Sequence, residues 1–310
     1  MAEIQCNIII DSCCDLPREL LEADGVELLQ FPYLMDDEQY DDDMFTTVTA
    51  REFYERMRKG SSCSTAQIPV PVLTEAFERA LASGVPTVYL GFSSGLSGTY
   101  DTARLIADEL RGDYPDGELY TVDTHLASIA EGVLVYEALM QREKGLSARE
   151  LAAWAEEARF FVNEHFTLDS LEWLQKGGRI PASVAFAGSK LDVKPVLDIS
   201  LDGKLALSGA ARGRKKSIRQ LVEYYEKHCG EVGAGNRVIV GHADSPKDAE
   251  RLKEGLLKAD SSVLILETSI GPVIGSHVGP GMLAVAFMGK DERESLSVTD
   301  RIANKVRQKG

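Results

Sequence analysis

The sequence contains no run of about 18 consecutive apolar residues, so no membrane-spanning helix is expected. Its first residues, Met1-Ala2-Glu3-Ile4-Gln5, lack the basic and apolar regions of a signal peptide. Cysteine is scarce: the five residues Cys6, Cys13, Cys14, Cys63 and Cys229 are odd in number and form no C-x-x-C pair. A disulfide framework or zinc ribbon is therefore not expected, and a reducing, cytoplasmic setting fits. Positive charge is also scarce, with 34 Lys and Arg against 49 Asp and Glu, a formal charge of −15. That argues against nucleic acid and anionic membranes as partners, both of which need a basic footprint. There is no P-loop and no G-x-G-x-x-G, so no nucleotide cofactor is expected. The five histidines form no H-x-x-x-H pair. Asp36-Asp37-Glu38 and Asp41-Asp42-Asp43 lack EF-hand spacing, so they read as a solvated acidic loop and no metal is expected.

What is present fits a chain of 310 residues folded as two domains. The first half alternates strands and helices. Strands are expected over Cys6 to Ile10, Val26 to Leu34, Thr87 to Leu90 and Glu118 to Val122. Helices are expected after Asp15, from the capping boxes Thr49-Ala50-Arg51-Glu52 and Ser147-Ala148-Arg149-Glu150, over Val70 to Ala82, and over Ala127 to Lys144. The second capping box starts a helix expected to reach about Asn163. This alternation implies a parallel sheet covered by helices. In the second half, Asp202-Gly203 sits between alternating runs from Asp192 to Ala211, a hairpin signal. Helices are expected over Leu168 to Leu174, over Gly213 to His228 and after a Ser245-Pro246 cap. Strands are expected at Arg237 to Gly241, Val263 to Leu266 and Met282 to Met288. We expect an α/β domain over residues 1–164, an α+β domain over 165–290 and a charged tail over 291–310.

The densest motif is Gly91-Phe92-Ser93-Ser94-Gly95-Leu96-Ser97-Gly98-Thr99-Tyr100, between an apolar strand and a helix. Unpaired N–H groups and the positive dipole end favour an anion at such a turn. The same residues match the G-x-S-x-G elbow of serine hydrolases, with Asp123 or Asp244 and His277 as conceivable partners. The surplus of hydroxyls suits a cradle for a carboxylate or phosphate better than a triad. Ser61-Ser62-Cys63-Ser64-Thr65-Ala66-Gln67 reads either as a solvated loop or as the source of a second hydroxyl, Thr65. In Lys176-Gly177-Gly178-Arg179-Ile180 the glycines permit a sharp turn and a close approach to a ligand or partner, and Arg179 is either a surface group or a bidentate anion ligand. Arg212-Gly213-Arg214-Lys215-Lys216 puts cations at a helix start, against the dipole, so an anion or partner patch competes with a solvated face. Gly271-Pro272-Val273-Ile274-Gly275-Ser276-His277-Val278-Gly279-Pro280-Gly281 is too glycine-rich for a regular element, and His277 in such a loop is a functional candidate.

Taken in order, these pieces resemble the DegV family of bacterial fatty-acid-binding proteins. The residues that carry the resemblance are Ile10-Asp11-Ser12, Asp15-Leu16-Pro17, Ser64-Thr65-Ala66, Ser93 to Tyr100, Val122-Asp123-Thr124, Lys176 to Ile180, Lys194-Pro195, Arg212 to Lys216 and Gly275 to Gly281. The chain differs at Ala66, where the family often has a second hydroxyl, and in its Cys13-Cys14 pair. The resemblance implies a two-domain α/β fold with a lipid tunnel between the domains and a bound long-chain fatty acid. It further implies that the chain is not itself an enzyme. A separate ATP-binding kinase subunit would phosphorylate the presented carboxylate, and the acyl phosphate would enter phospholipid synthesis; the alternative is a lipid carrier or sensor with no kinase partner. By position, Thr65, Ser93 and Ser94 would bind the carboxylate. Arg179, Arg212 and His277 would assist phosphoryl transfer or line the kinase interface. Gly95, Ser97, Gly98, Gly178, Gly279 and Gly281 would support these loops.

Overall fold

A computed structural model describes residues 3–181, 192–230 and 236–295. The first part of the chain runs β1 (Asn7–Asp11), β2 (Val26–Leu29), β3 (Pro32–Met35), β4 (Glu38–Asp41), α1 (Ala50–Arg58), β5 (Cys63–Thr65), α2 (Val70–Ala82), β6 (Thr87–Gly91), α3 (Thr99–Leu110), β7 (Leu119–Asp123), α4 (Ser128–Glu143) and α5 (Ala148–Ala158). The second part runs β8 (Val162–Thr167), α6 (Glu172–Lys176), β9 (Val193–Ile199), β10 (Leu205–Arg212), α7 (Arg214–His228), β11 (Arg237–His242), α8 (Pro246–Ala259), β12 (Leu264–Ser269), α9 (Pro272–Val278) and β13 (Leu283–Met288).

The fold is mixed α/β. One sheet, β2-β1-β6-β7, is parallel throughout. Its β1 and β6 are buried along almost their whole length, which is why they read as continuous apolar runs. A second sheet, β10-β9-β8-β13-β11-β12, is antiparallel except for the β11–β12 pair. A small antiparallel sheet, β4-β3-β5, stands beside the first. A common core joins the two large sheets, from Ile8 and Leu90 to Ile239 and Ala284. A separate apolar cluster lies under α7 and α8, around Leu221, Leu252 and Phe287.

Both capping boxes form, each hydroxyl accepting from the N3 backbone while the N3 glutamate accepts in return. The Asp202-Gly203 turn joins β9 to β10. Several expectations need correction. Asp15 caps no α-helix; it adopts a left-handed conformation, and only a 3₁₀ turn, Arg18–Leu20, follows. The run from Val26 to Leu34 breaks at Gln30-Phe31 into two strands of different sheets. Asp36 and Asp37 make a tight turn with positive φ at both, while Asp42 is buried rather than solvated. Residues 61–67 hold the short strand β5, paired to β3. The helix begun at Ser147 ends near Ala158, and β8 crosses the expected division at 164/165 inside the second sheet. The expected Leu168–Leu174 helix is instead Glu172–Lys176. Ser245 precedes α8 but caps nothing, its hydroxyl donating to the Met282 carbonyl at 3.1 Å. The glycine-rich run 271–281 contains α9. Pro272 opens that helix, and Gly275 lets it approach Tyr54, whose Oη would sit 2.5 Å from a Cβ there. Of the expected tail, 296–310 lies outside the described residues; Glu292–Ser295 forms a 3₁₀ turn.

Candidate functional site

Between the two large sheets lies a cavity of about 510 Å³, within the range of small-molecule sites. Phe31, Phe92, Phe166, Ile199, Val273 and Ile274 give it an apolar wall. Four of the six residues expected to act on a ligand line it: Thr65, Ser94, Arg179 and His277. They arrive from β5, the β6–α3 turn, the turn after α6, and α9.

The tightest contact among them is Thr65 Oγ1 to His277 Nε2, at 2.7 Å. It joins residues 212 positions apart. The other ring nitrogen, Nδ1, is buried without a hydrogen-bond partner among the described residues. Burial, with Arg179 adding repulsion, pushes the His277 pKa down to about 4, so the ring is neutral at pH 7. The ring packs directly on Gly177; a Cβ there would overlap Nδ1. Gly178 has open space around it and instead supplies the turn, with φ +71°. The two adjacent glycines therefore divide the tasks that the motif suggested for the pair. Arg179 donates to the Gly177 carbonyl at 2.6 Å and the Leu96 carbonyl at 3.3 Å, which holds its guanidinium against the cavity.

The β6–α3 turn is fixed by acceptors beneath it. The Phe92 N–H donates to Asp11 Oδ2 at 2.9 Å, and the Ser94 N–H to Asp123 Oδ1 at 3.2 Å. Ser97 and Thr99 share a hydroxyl contact of 3.1 Å, and the Thr99 N–H donates to Ser97 Oγ. Gly98 leaves room for the Gln67 amide, another cavity residue.

Ser93 does not line the cavity. It is fully buried, its hydroxyl donates to the Gly203 carbonyl at 2.8 Å, and it accepts from the Gly95 N–H. Gly95 itself lies so close that a Cβ would stand 2.6 Å from the Gly203 oxygen. These two residues clamp the turn to the β9–β10 hairpin. Arg212 also stays apart, exposed at the end of β10 opposite the cavity-lining Leu205. Gly279 and Gly281, both at positive φ, leave space for Trp173 and Asp169.

The hydrolase alternative finds no triad. Among the described residues the Ser93 hydroxyl donates to the Gly203 carbonyl rather than to a histidine, and His277 is engaged by Thr65. Asp244 pairs with Arg58. His125 meets Asp123 with Nε2, at 3.0 Å, and the Leu201 carbonyl with Nδ1, at 3.1 Å, so neither nitrogen faces a serine.

A family model described as "Uncharacterised protein, DegV family" matches residues 5–290. The chain belongs to the DegV family. A DegV domain-containing protein of Clostridium perfringens is 37% identical over 282 residues, covering 91% of this chain and 97% of that one. Among solved structures, a Thermus thermophilus DegV protein described by its fatty acid binding has a TM-score of 0.81 at 27% identity, covering 92% of this chain and all of that one. A Thermotoga maritima protein, described as revealing a fatty acid binding function, has a TM-score of 0.77 at 27% identity, covering 93% and 100%. In this DegV chain no helix among the described residues is long and apolar enough to cross a membrane.

Proposed function

We propose that this protein binds a long-chain fatty acid in the cavity between its sheets and presents the carboxylate to a separate, ATP-dependent kinase subunit. The observation that carries the reading is an apolar cavity with hydroxyl, imidazole and guanidinium groups gathered on its wall. Burying ~12–16 methylenes at ~0.8 kcal/mol each gives on the order of 10 kcal/mol before binding costs. The tail thus supplies most of the affinity, and the polar groups have only to satisfy and aim the carboxylate. Thr65 and Ser94 do this as neutral hydroxyl donors. His277, uncharged and hydrogen-bonded to Thr65, fixes that hydroxyl. Arg179 brings a cation whose charge is partly satisfied by two carbonyls. A carboxylate left without a close ion pair keeps the electron density it needs to attack a phosphoryl group. Ser93 supports the turn rather than the ligand. Arg212, exposed and distant from the cavity wall, serves the kinase interface, where positioning and charge stabilisation drive phosphoryl transfer. The chain holds no nucleotide of its own in this scheme, acts in the cytoplasm and feeds phospholipid synthesis.

Mass spectrometry of lipid released from protein purified under native conditions should find a long-chain fatty acid at about one per chain. Recovery of no acyl lipid, together with no affinity for added fatty acid, would overturn the binding reading. With the ATP-binding subunit added, acyl phosphate should form. Arg212→Ala should lower that rate at least tenfold with fatty-acid affinity unchanged, whereas Thr65→Val should weaken affinity by up to about tenfold, one hydrogen bond's worth.

A further inference from the structure

The wall of the cavity includes an acid that carboxylate binding does not use. Glu164 lies on β8 and lines the cavity beside Phe166 on the same face. The next strand, β9, pairs Leu197 with Phe166 and runs on to Ile199, which also lines the cavity. Ile199 pairs with Leu205, another lining residue. The Glu164 side chain is therefore set in an apolar stretch of wall. The residue is 6% exposed, and its Oε1 is buried with no hydrogen-bond partner among the described residues. Burial pushes its carboxyl well above the usual range, with Asp15 and Asp198 adding repulsion.

A carboxyl accepts hydrogen bonds through its oxygens and, when protonated, also donates one. A plain methylene chain lying over it would satisfy neither, and a buried polar group left unpaired is costly. A carboxylate headgroup is matched instead by the hydroxyls, imidazole and guanidinium elsewhere on the wall. An alcohol on the acyl chain both donates and accepts, and so complements Glu164.

We propose that the cavity selects a fatty acid carrying a hydroxyl on its chain, recognised through a hydrogen bond to Glu164. The inference rests on the fatty-acid reading above and adds the class of acyl chain. Sites built to hydrogen-bond a ligand hydroxyl discriminate strongly against the analogue lacking it, because the site's own polar group is then stranded.

The test is a displacement titration of the delipidated full chain with stearic acid and with hydroxystearic acids bearing the hydroxyl at successive positions. At least one isomer should bind tenfold or more tighter than stearic acid. Glu164→Leu should abolish that preference, weakening the favoured isomer and strengthening stearic acid several-fold. Glu164→Gln, which still donates and accepts, should keep the preference, and it decides the matter if the leucine variant does not fold. If stearic acid binds as tightly as every isomer, or if Glu164→Leu shifts all ligands alike, the inference is wrong while the fatty-acid reading stands. If nothing in the panel binds, both fail.

Discussion

Two groups of polar residues meet around the cavity, and they are built on opposite plans. On the cavity side, Thr65, Ser94, His277 and Arg179 are neutral or cationic. Behind them, Asp11, Asp15, Asp42 and Glu131 are buried carboxyls with few partners. Asp11 accepts from the N–H groups of Cys13 and Phe92, so it ties the end of β1 to the turn after β6. Asp15 accepts from the Gly271 N–H at 2.8 Å and from the Ser128 hydroxyl at 2.5 Å, so it ties the first sheet's loop to α9 and α4. Glu131 has neither oxygen bonded within the described structure. Burial pushes Asp11 and Asp15 up to about 7 and holds Asp42 and Glu131 higher than a usual carboxyl. Asp11 and Asp15 therefore fix the loops from beneath, and the donors face the cavity. The proposed anion recognition draws on where the acids are hidden as much as on where the donors stand.

The sharpest way to break this division is at its joint. Asp15→Ala removes the acceptor of both Gly271 N–H and Ser128 Oγ–H, leaving two buried donors unpaired. At about 1–3 kcal/mol for each such group, unfolding in urea should show a loss of roughly 2–6 kcal/mol. Asp15→Asn retains one acceptor and should recover part of it. An alanine variant as stable as the parent would mean that α9 is held by packing alone. Next in size is Gly177→Ala. The added methyl would occupy the place of His277 Nδ1, so the imidazole must move and its bond to Thr65 must break. Overpacking of this kind costs about 1–3 kcal/mol. Fatty-acid affinity should fall while the acid cluster, on the far side of α9's N-terminus, stays intact. Gly178→Ala meets open space but positive φ, so it should lower stability by about 1 kcal/mol and leave affinity nearly unchanged. Equal effects of the two glycine variants on affinity would refute the separate roles assigned to them.

The same contrast marks what the sequence could reveal. Signals contained within a few residues were legible: the two capping boxes, the Asp202-Gly203 hairpin, the buried runs of β1 and β6, and the α2 boundaries. The cradle turn could be found because its glycines and hydroxyls sit side by side. What escaped depends on contacts far apart in sequence. α9 was unreadable as a helix because Gly275 is there for Tyr54, over 200 residues away, and glycine counts locally as a breaker. Ser93 looked like a ligand residue because nothing nearby shows its bond to Gly203. Asp15 looked like a helix cap for the same reason. Glu164 was hidden because an acid after an apolar helix reads as a boundary, whereas here it lies inside a central strand. The doubled glycine at 177–178 was the one local hint of close packing, and the residue it packs against lies 100 positions later.

The most specific expected effect is one of pH, because the two clusters respond to it with opposite sign. His277 is lowered to about 4 in the folded protein, against its ordinary 6.5. Between those values the unfolded chain binds a proton that the native ring refuses. Stability from this group is thus full above pH 6.5 and is lost as pH falls toward 4. Asp15 is raised from 3.8 to about 7. Its native form keeps a proton that the unfolded chain releases, so its contribution is full below pH 4 and is lost as pH rises through 7. Each unit is worth about 1.4 kcal/mol, which limits either effect to a few kcal/mol. Paired urea titrations at pH 5 and pH 7.5 separate them. From pH 7.5 to pH 5, His277→Gln should lose less stability than the parent does, and from pH 5 to pH 7.5, Asp15→Asn should lose less than the parent does. Parallel changes in both variants would mean that the cavity donors and the hidden acids titrate as a single network, and the division between holding loops and holding a ligand would have to be abandoned.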